Sequence, residues 1–193
     1  MTKFVKNFLV FIILGFFFSG KVYAACSKAS GDISGTSSGS PHTTTYSCAD
    51  NNTFVLDAGE YMSGDPARIT ATADNITINN SGNLLATGGG NVITSGAYDT
   101  VTLTNQSTGV IKGTTNGIFI GAGDAWEIDN YGDIYGVSAK AVNIRGGDNT
   151  QITNRSGAKI RTDGLNAVLM QDSSGSNASE TLTLDNYGTI SGR

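Results

Sequence analysis

The chain has 193 residues, a formal net charge of −4 and 15% charged side chains, with 26 glycines against two prolines and two cysteines. An acidic chain with scattered Lys and Arg argues against nucleic acid or an anionic membrane surface as a partner. Glycine at roughly twice its average usage of about 7%, with abundant Thr, Asn, Ser and Asp, suits either disorder or a turn-rich repetitive fold, and the apolar pattern decides between them.

The chain opens on the layout of a secretory signal peptide. Lys3 and Lys6 form a positive segment, Phe8 to Phe18 is uncharged and apolar, and Val22-Tyr23-Ala24 supplies the small or compact residues of a cleavage site. The apolar run is too short to cross ~30 Å of hydrocarbon as a helix. Cleavage is expected after Ala24, which removes Lys3, Lys6 and Lys21 and takes the net charge from −4 to −7. Tyr23-Ala24-Ala25-Cys26 lacks the usual Leu of a lipoprotein box, so lipidation is not expected.

Residues 25–53 are read as an amino-terminal cap. Cys26 and Cys48 are expected to pair in an oxidising compartment. Closing that loop is worth roughly 3.4 kcal/mol in the chain-entropy model, and the Ser-, Gly- and Thr-rich stretch it ties could hardly order itself. Zinc is the competing reading, but two cysteines and His42 lack ligand spacing.

From residue 54 onward the chain repeats. Five segments align as acid-x-φ-x-φ-x-Asn, where φ is mostly apolar: 74–80, 99–105, 124–130, 148–154 and 180–186, with Thr150 as the exception. Their asparagines, Asn80, Asn105, Asn130, Asn154 and Asn186, stand 25, 25, 24 and 32 residues apart. A glycine follows each within four residues (Gly82, Gly109, Gly132, Gly157, Gly188), then an apolar residue (Leu84, Ile111, Ile134, Ile160, Ile190). A third apolar piece completes most units, as at Ile118 to Ile120. Three alternating segments per unit, parted by Gly-, Asn- and Asp-rich turns, predict strands and no helix. About 25 residues per unit predicts an all-β fold, a parallel β-helix (solenoid) of about five coils over residues 54–193. The 32-residue interval contains an extra stretch, 172–179, read as an enlarged corner loop. Phe54 to Gly64 is read as an imperfect first coil.

Stacking in such a coil sets like residues over like at about 4.8 Å. The alternating φ positions are expected to fill the core, Trp126 among them. The asparagine column is expected to hydrogen-bond along its length and to fix the following turn. The acidic column (Asp74, Asp99, Asp124, Asp148 and Glu180) is expected to cap turns. Its alternative reading is a cation site, since carboxylates stacked about 5 Å apart repel, but the nonapeptide calcium signature is absent. Arg145, Arg155 and Arg161 lie near one another without a distinctive acidic partner set. No catalytic cluster of paired carboxylates stands out, and no cofactor or metal is expected. Tyr131, Tyr135 and Tyr187 are read as outward-facing.

Units such as Leu184-Asp-Asn-Tyr-Gly-Thr-Ile-Ser-Gly192 resemble the Asn-x-Gly-x-Ile-x-Gly repeats in passengers of type Va autotransporters. The resemblance covers about residues 54 to 193 and takes its specificity from repetition. It implies a right-handed parallel β-helix, export through the Sec route, display at the cell surface or outer membrane, and a non-enzymatic role as adhesin or structural stalk with an unknown host or bacterial surface ligand. A complete member ends in a carboxy-terminal β-barrel, its only part in the outer membrane. The chain stops at Arg193 within a coil, so a fragment lacking the barrel is expected; a chain truly ending there would stay periplasmic. Two further readings are a carbohydrate-active β-helix of the polysaccharide lyase kind and a calcium-stabilised secreted repeat.

Overall fold

A computed structural model describes residues 24–28, 46–64, 69–96, 100–121, 125–146, 149–171 and 181–193. Residues 1–23 of the expected signal peptide lie outside the described residues, as does the enlarged corner at 172–179.

The described residues are all-β. Strands β1 (Ala24–Ala25), β2 (Ser27–Lys28) and β3 (Tyr46–Cys48) come first. Triplets follow: β4 (Asn52–Leu56), β5 (Tyr61–Gly64), β6 (Ile69–Ala71); β7 (Ile76–Asn80), β8 (Asn83–Ala86), β9 (Ile93–Ser95); β10 (Val101–Asn105), β11 (Val110–Gly113), β12 (Ile118–Ile120). Then come β13 (Trp126–Asn130), β14 (Asp133–Gly136), β15 (Val142–Arg145); β16 (Thr150–Asn154), β17 (Lys159–Thr162), β18 (Val168–Gln171); and finally β19 (Leu182–Asn186) and β20 (Thr189–Ser191). Every strand but β2 pairs in parallel with its counterpart one unit away, giving three sheets. The first sheet runs β1-β4-β7-β10-β13-β16-β19, the second β5-β8-β11-β14-β17-β20, and the third β2-β3-β6-β9-β12-β15-β18. The chain is therefore a parallel β-solenoid of about five turns with about 25 residues per turn.

Alternation fixes the register. In β7 and β10 the first, third and fifth residues are buried and the others half-exposed, so a one-residue slip would turn the apolar set to water. Ile78, Leu103, Ile128 and Ile152 stack directly over one another and are at most 1% exposed. Leu84, Ile111, Ile134 and Ile160 form the matching column of the second sheet. Each such side chain contributes about 1.5–3 kcal/mol by leaving water. Trp126 is fully buried at the start of β13. Thr150 begins the next strand and is also fully buried, so the one polar residue at a φ position still points inward, beside the bulkiest core side chain.

Irregular spacing is absorbed at the corners, and the strands stay in register. Asn130 and Asn154 are partners despite their 24-residue interval, and Asn154 pairs with Asn186 despite one of 32. The additional residues fall between Gln171, which ends β18, and Leu182, which begins β19.

The solenoid path is already present in β3, which pairs in parallel with β6, and β4 spans the expected boundary at residue 53. Ahead of it, β1 adds to the first sheet and β2 lies antiparallel to β3. Antiparallel pairing offers the next strand no parallel template, as suits a solenoid end.

Candidate functional site

The asparagine column is a continuous ladder. Asn80 Nδ2 donates to Asn105 Oδ1, Asn105 to Asn130, Asn130 to Asn154 and Asn154 to Asn186, each at 2.8 Å. The second amide hydrogen reaches backbone oxygens: Asn105 donates to Gly109 O, and Asn130 to Gly132 O and Lys159 O. Asn80, Asn105, Asn130 and Asn154 are fully buried, where each unpaired amide group is costly. The ladder starts at Asn80 because Leu56 occupies the same place one coil earlier. Asn80 Oδ1 accordingly finds no partner among the described residues.

The glycine of the following turn is needed for space. A Cβ on Gly132 would lie 2.2 Å from Gly109 O and 2.8 Å from Asn105 Nδ2. The equivalent backbone oxygens, which accept from the next coil, belong to Gly82, Gly109, Gly132 and Ala158. Ala158, not Gly157, thus holds the fourth place in that column. Gly157 serves its turn differently, through a φ of +83°.

Cys26 and Cys48 form a disulfide with Cα atoms 4.3 Å apart. It joins the residue between β1 and β2 to the end of β3, and both cysteines are buried. Tyr46 and Phe54 pack edge to face nearby with centroids 5.1 Å apart.

Of the acidic column, Asp99, Asp124, Asp148 and Glu180 lie outside the described residues. Asp74 is described: its backbone N–H donates to Asp50 Oδ1 at 3.0 Å, and its carbonyl accepts from Asn51 N–H. At this corner the capping carboxylate is that of Asp50, one coil before Asp74, and Asp74 takes part in these two bonds through its backbone.

Sequence reasoning missed two features. Asn116 Nδ2 donates to Asn91 Oδ1 at 2.8 Å, a short second ladder at the corner entering the third sheet. Arg155 and Arg161, read as lacking acidic partners, each hold a carboxylate from the preceding coil. Arg155 binds Asp129 at 2.6 and 3.0 Å, and Arg161 binds Asp133 at 2.6 to 3.1 Å. These pairs are 26 and 28 residues apart in sequence, so only alignment by coil brings them together. The Asp133 contact holds the Arg161 guanidinium above its usual pKa, and Asp129 does the same for Arg155.

The tyrosines join this surface. Arg155 lies 5.5 Å from the Tyr131 ring centroid. Tyr135 is flanked by Lys112 at 5.3 Å and Arg161 at 4.2 Å, distances typical of cation–π contact. Its hydroxyl donates to Asp163, and that bond pushes the phenol's pKa up. Tyr131 and Tyr187 are 41% and 67% exposed, so both rings are available to a partner.

Comparison with protein-family models, with curated proteins and with solved structures returns no match for this chain.

Proposed function

We propose that the chain belongs to a secreted bacterial surface protein, as a non-enzymatic passenger module of the autotransporter kind that serves as adhesin or stalk. One observation carries this reading: the most conspicuous polar residues recur coil after coil and bind one another. The ladder from Asn80 to Asn186 commits its amides to the neighbouring coils, which suits a structural element repeated along a rod. A reaction instead needs unlike groups converging on one place. The export signal read at residues 1–24 and the resemblance of the repeats to autotransporter passengers support the same role.

The test joins the chain at Arg193 to an autotransporter β-barrel in a Gram-negative host. The expected outcome is that residues 25–193 are degraded by protease added to intact cells, and that the cells clump or attach more readily than cells displaying no passenger. Retention inside the outer membrane, or reproducible cleavage of members of a polysaccharide panel by the purified chain, would overturn the proposal.

A further inference from the structure

The second sheet from β8 to β20, with the turns on either side of it, lies wholly within the described residues. Across β11, β14 and β17 its outward positions form two columns in register: Val110, Asp133, Lys159 and Lys112, Tyr135, Arg161. Three cations there face one carboxylate. In the adjacent first sheet, the outward positions of β13, β16 and β19 hold Glu127, Asp129 and Asp185 and no Lys or Arg. On a chain of net charge −4, the second sheet therefore presents a local positive face.

The face is ordered as well as charged. Asp133 grips Arg161 through both guanidinium Nε and one terminal nitrogen, and the Tyr135 ring separates Lys112 from Arg161. Lys112 and Lys159 are exposed and make no ion pair among the described residues. Lys112 stands two coils from Arg161 in the same column, a separation of about 9.6 Å at strand spacing, and Lys159 lies two residues along the strand from Arg161. Between Lys112 and Arg161 lie the Tyr135 ring and the Asp133 carboxylate, and Asp163, which accepts from the Tyr135 hydroxyl, stands in the same coil as Arg161.

Those spacings select a ligand chemistry. An extended pyranose chain with an acidic group on every second ring places its negative charges at about this interval. Its intervening hydroxyls donate to carboxylates, and its C–H faces pack on an aromatic ring. Duplex nucleic acid, with a charge every ~1.7 Å along its axis, would set phosphates against Asp133 and Asp163. We propose that the outer face of the second sheet, across β11, β14 and β17, binds linear acidic polysaccharide bearing carboxylates or sulfates on alternate sugars. This names a ligand class for the adhesin reading above, on which its place at the cell surface rests.

The experiment measures retention of the purified full chain on immobilised hyaluronan, with dextran and single-stranded DNA as comparison surfaces. The chain is expected to bind hyaluronan at low salt, to release as salt rises, and to ignore dextran. Lys112→Glu with Lys159→Glu is expected to weaken binding by about tenfold or more, while Glu127→Lys on the first sheet does not weaken it. Circular dichroism checks each fold, and Lys112→Gln with Lys159→Gln replaces the double reversal if that variant fails to fold. Absence of hyaluronan binding, equal retention on dextran, tighter binding to DNA, or folded lysine variants that bind like the parent would overturn the proposal. A chain that binds hyaluronan but is never displayed on cells would defeat only the surface role; a displayed chain that ignores hyaluronan would defeat only this inference.

Discussion

Asn130 shows what one residue does in this fold. Its amide donates to Asn154, Gly132 and Lys159 oxygens, and its oxygen accepts from Asn105 and from the Gly132 N–H. Asn130→Ala would leave Asn105 Nδ2 and Asn154 Oδ1 without their ladder partner in a dry interior, at about 1–3 kcal/mol for each group. The expected loss is about 3 kcal/mol in urea unfolding, against under about 1 kcal/mol for Asn186→Ala on the exposed last coil. Equal losses at the two sites would mean that the ladder is not what holds the coils. A second residue-scale prediction concerns Ala125, which sits just before β13 with a φ of 52°. Asn51, Asn75 and Asn149, each just before a strand of the same sheet, share that left-handed conformation with φ of 57°, 55° and 59°. A left-handed backbone costs an ordinary L-residue about 1–2 kcal/mol, and asparagine tolerates it better. Ala125→Asn should therefore raise stability by about 0.5–1 kcal/mol, read as a higher thermal midpoint.

At the scale of the element, strands of three to five residues such as β9 and β10 have too little pairing to persist alone. Each is held by the counterparts above and below and by the apolar column it joins. In the first coil β5 has such a neighbour on one side only, and at that end the Cys26–Cys48 bridge ties β1 and β2 to β3. Replacing both cysteines by serine removes a constraint on the unfolded chain worth about 3 kcal/mol in the loop-entropy model. The expected result is a lower urea midpoint, with protease cutting first near β3 and β4 rather than near β16. Unchanged stability would mean that the pairing of β1 with β4 suffices to close that end.

The molecule as a whole behaves as a stack in which each coil answers mainly to its neighbours. Protection from hydrogen exchange should then peak in the middle and fall toward the last coil. Ile128 and Ile152 are at most 1% exposed, whereas Leu184 in the same column is 38% exposed. Amides of β10, β13 and β16 are expected to exchange slowest and those of β19 and β20 fastest, as mass spectrometry of peptide fragments would show. Uniform protection along the axis would mean that the solenoid opens only as one unit.

What the sequence determined by itself was everything that repeats. Alternation within each segment gave the strands, and the recurrence of φ-x-φ-x-Asn near every 25 residues gave the coil, because in-register stacking is the arrangement that buries every φ residue at once. The asparagine ladder was legible for the same reason, since five identical amides at one phase must meet. What only the tertiary structure decided was contact between unlike residues in different columns. Asp133 meets Arg161 and Tyr135 meets Asp163 through the lateral offset of side chains across neighbouring strands, which no repeat encodes. Likewise, Gly157 and Ala158 are told apart only by which backbone oxygen faces the next coil. Period sets which strand lies over which; the reach and direction of individual side chains set what each one touches.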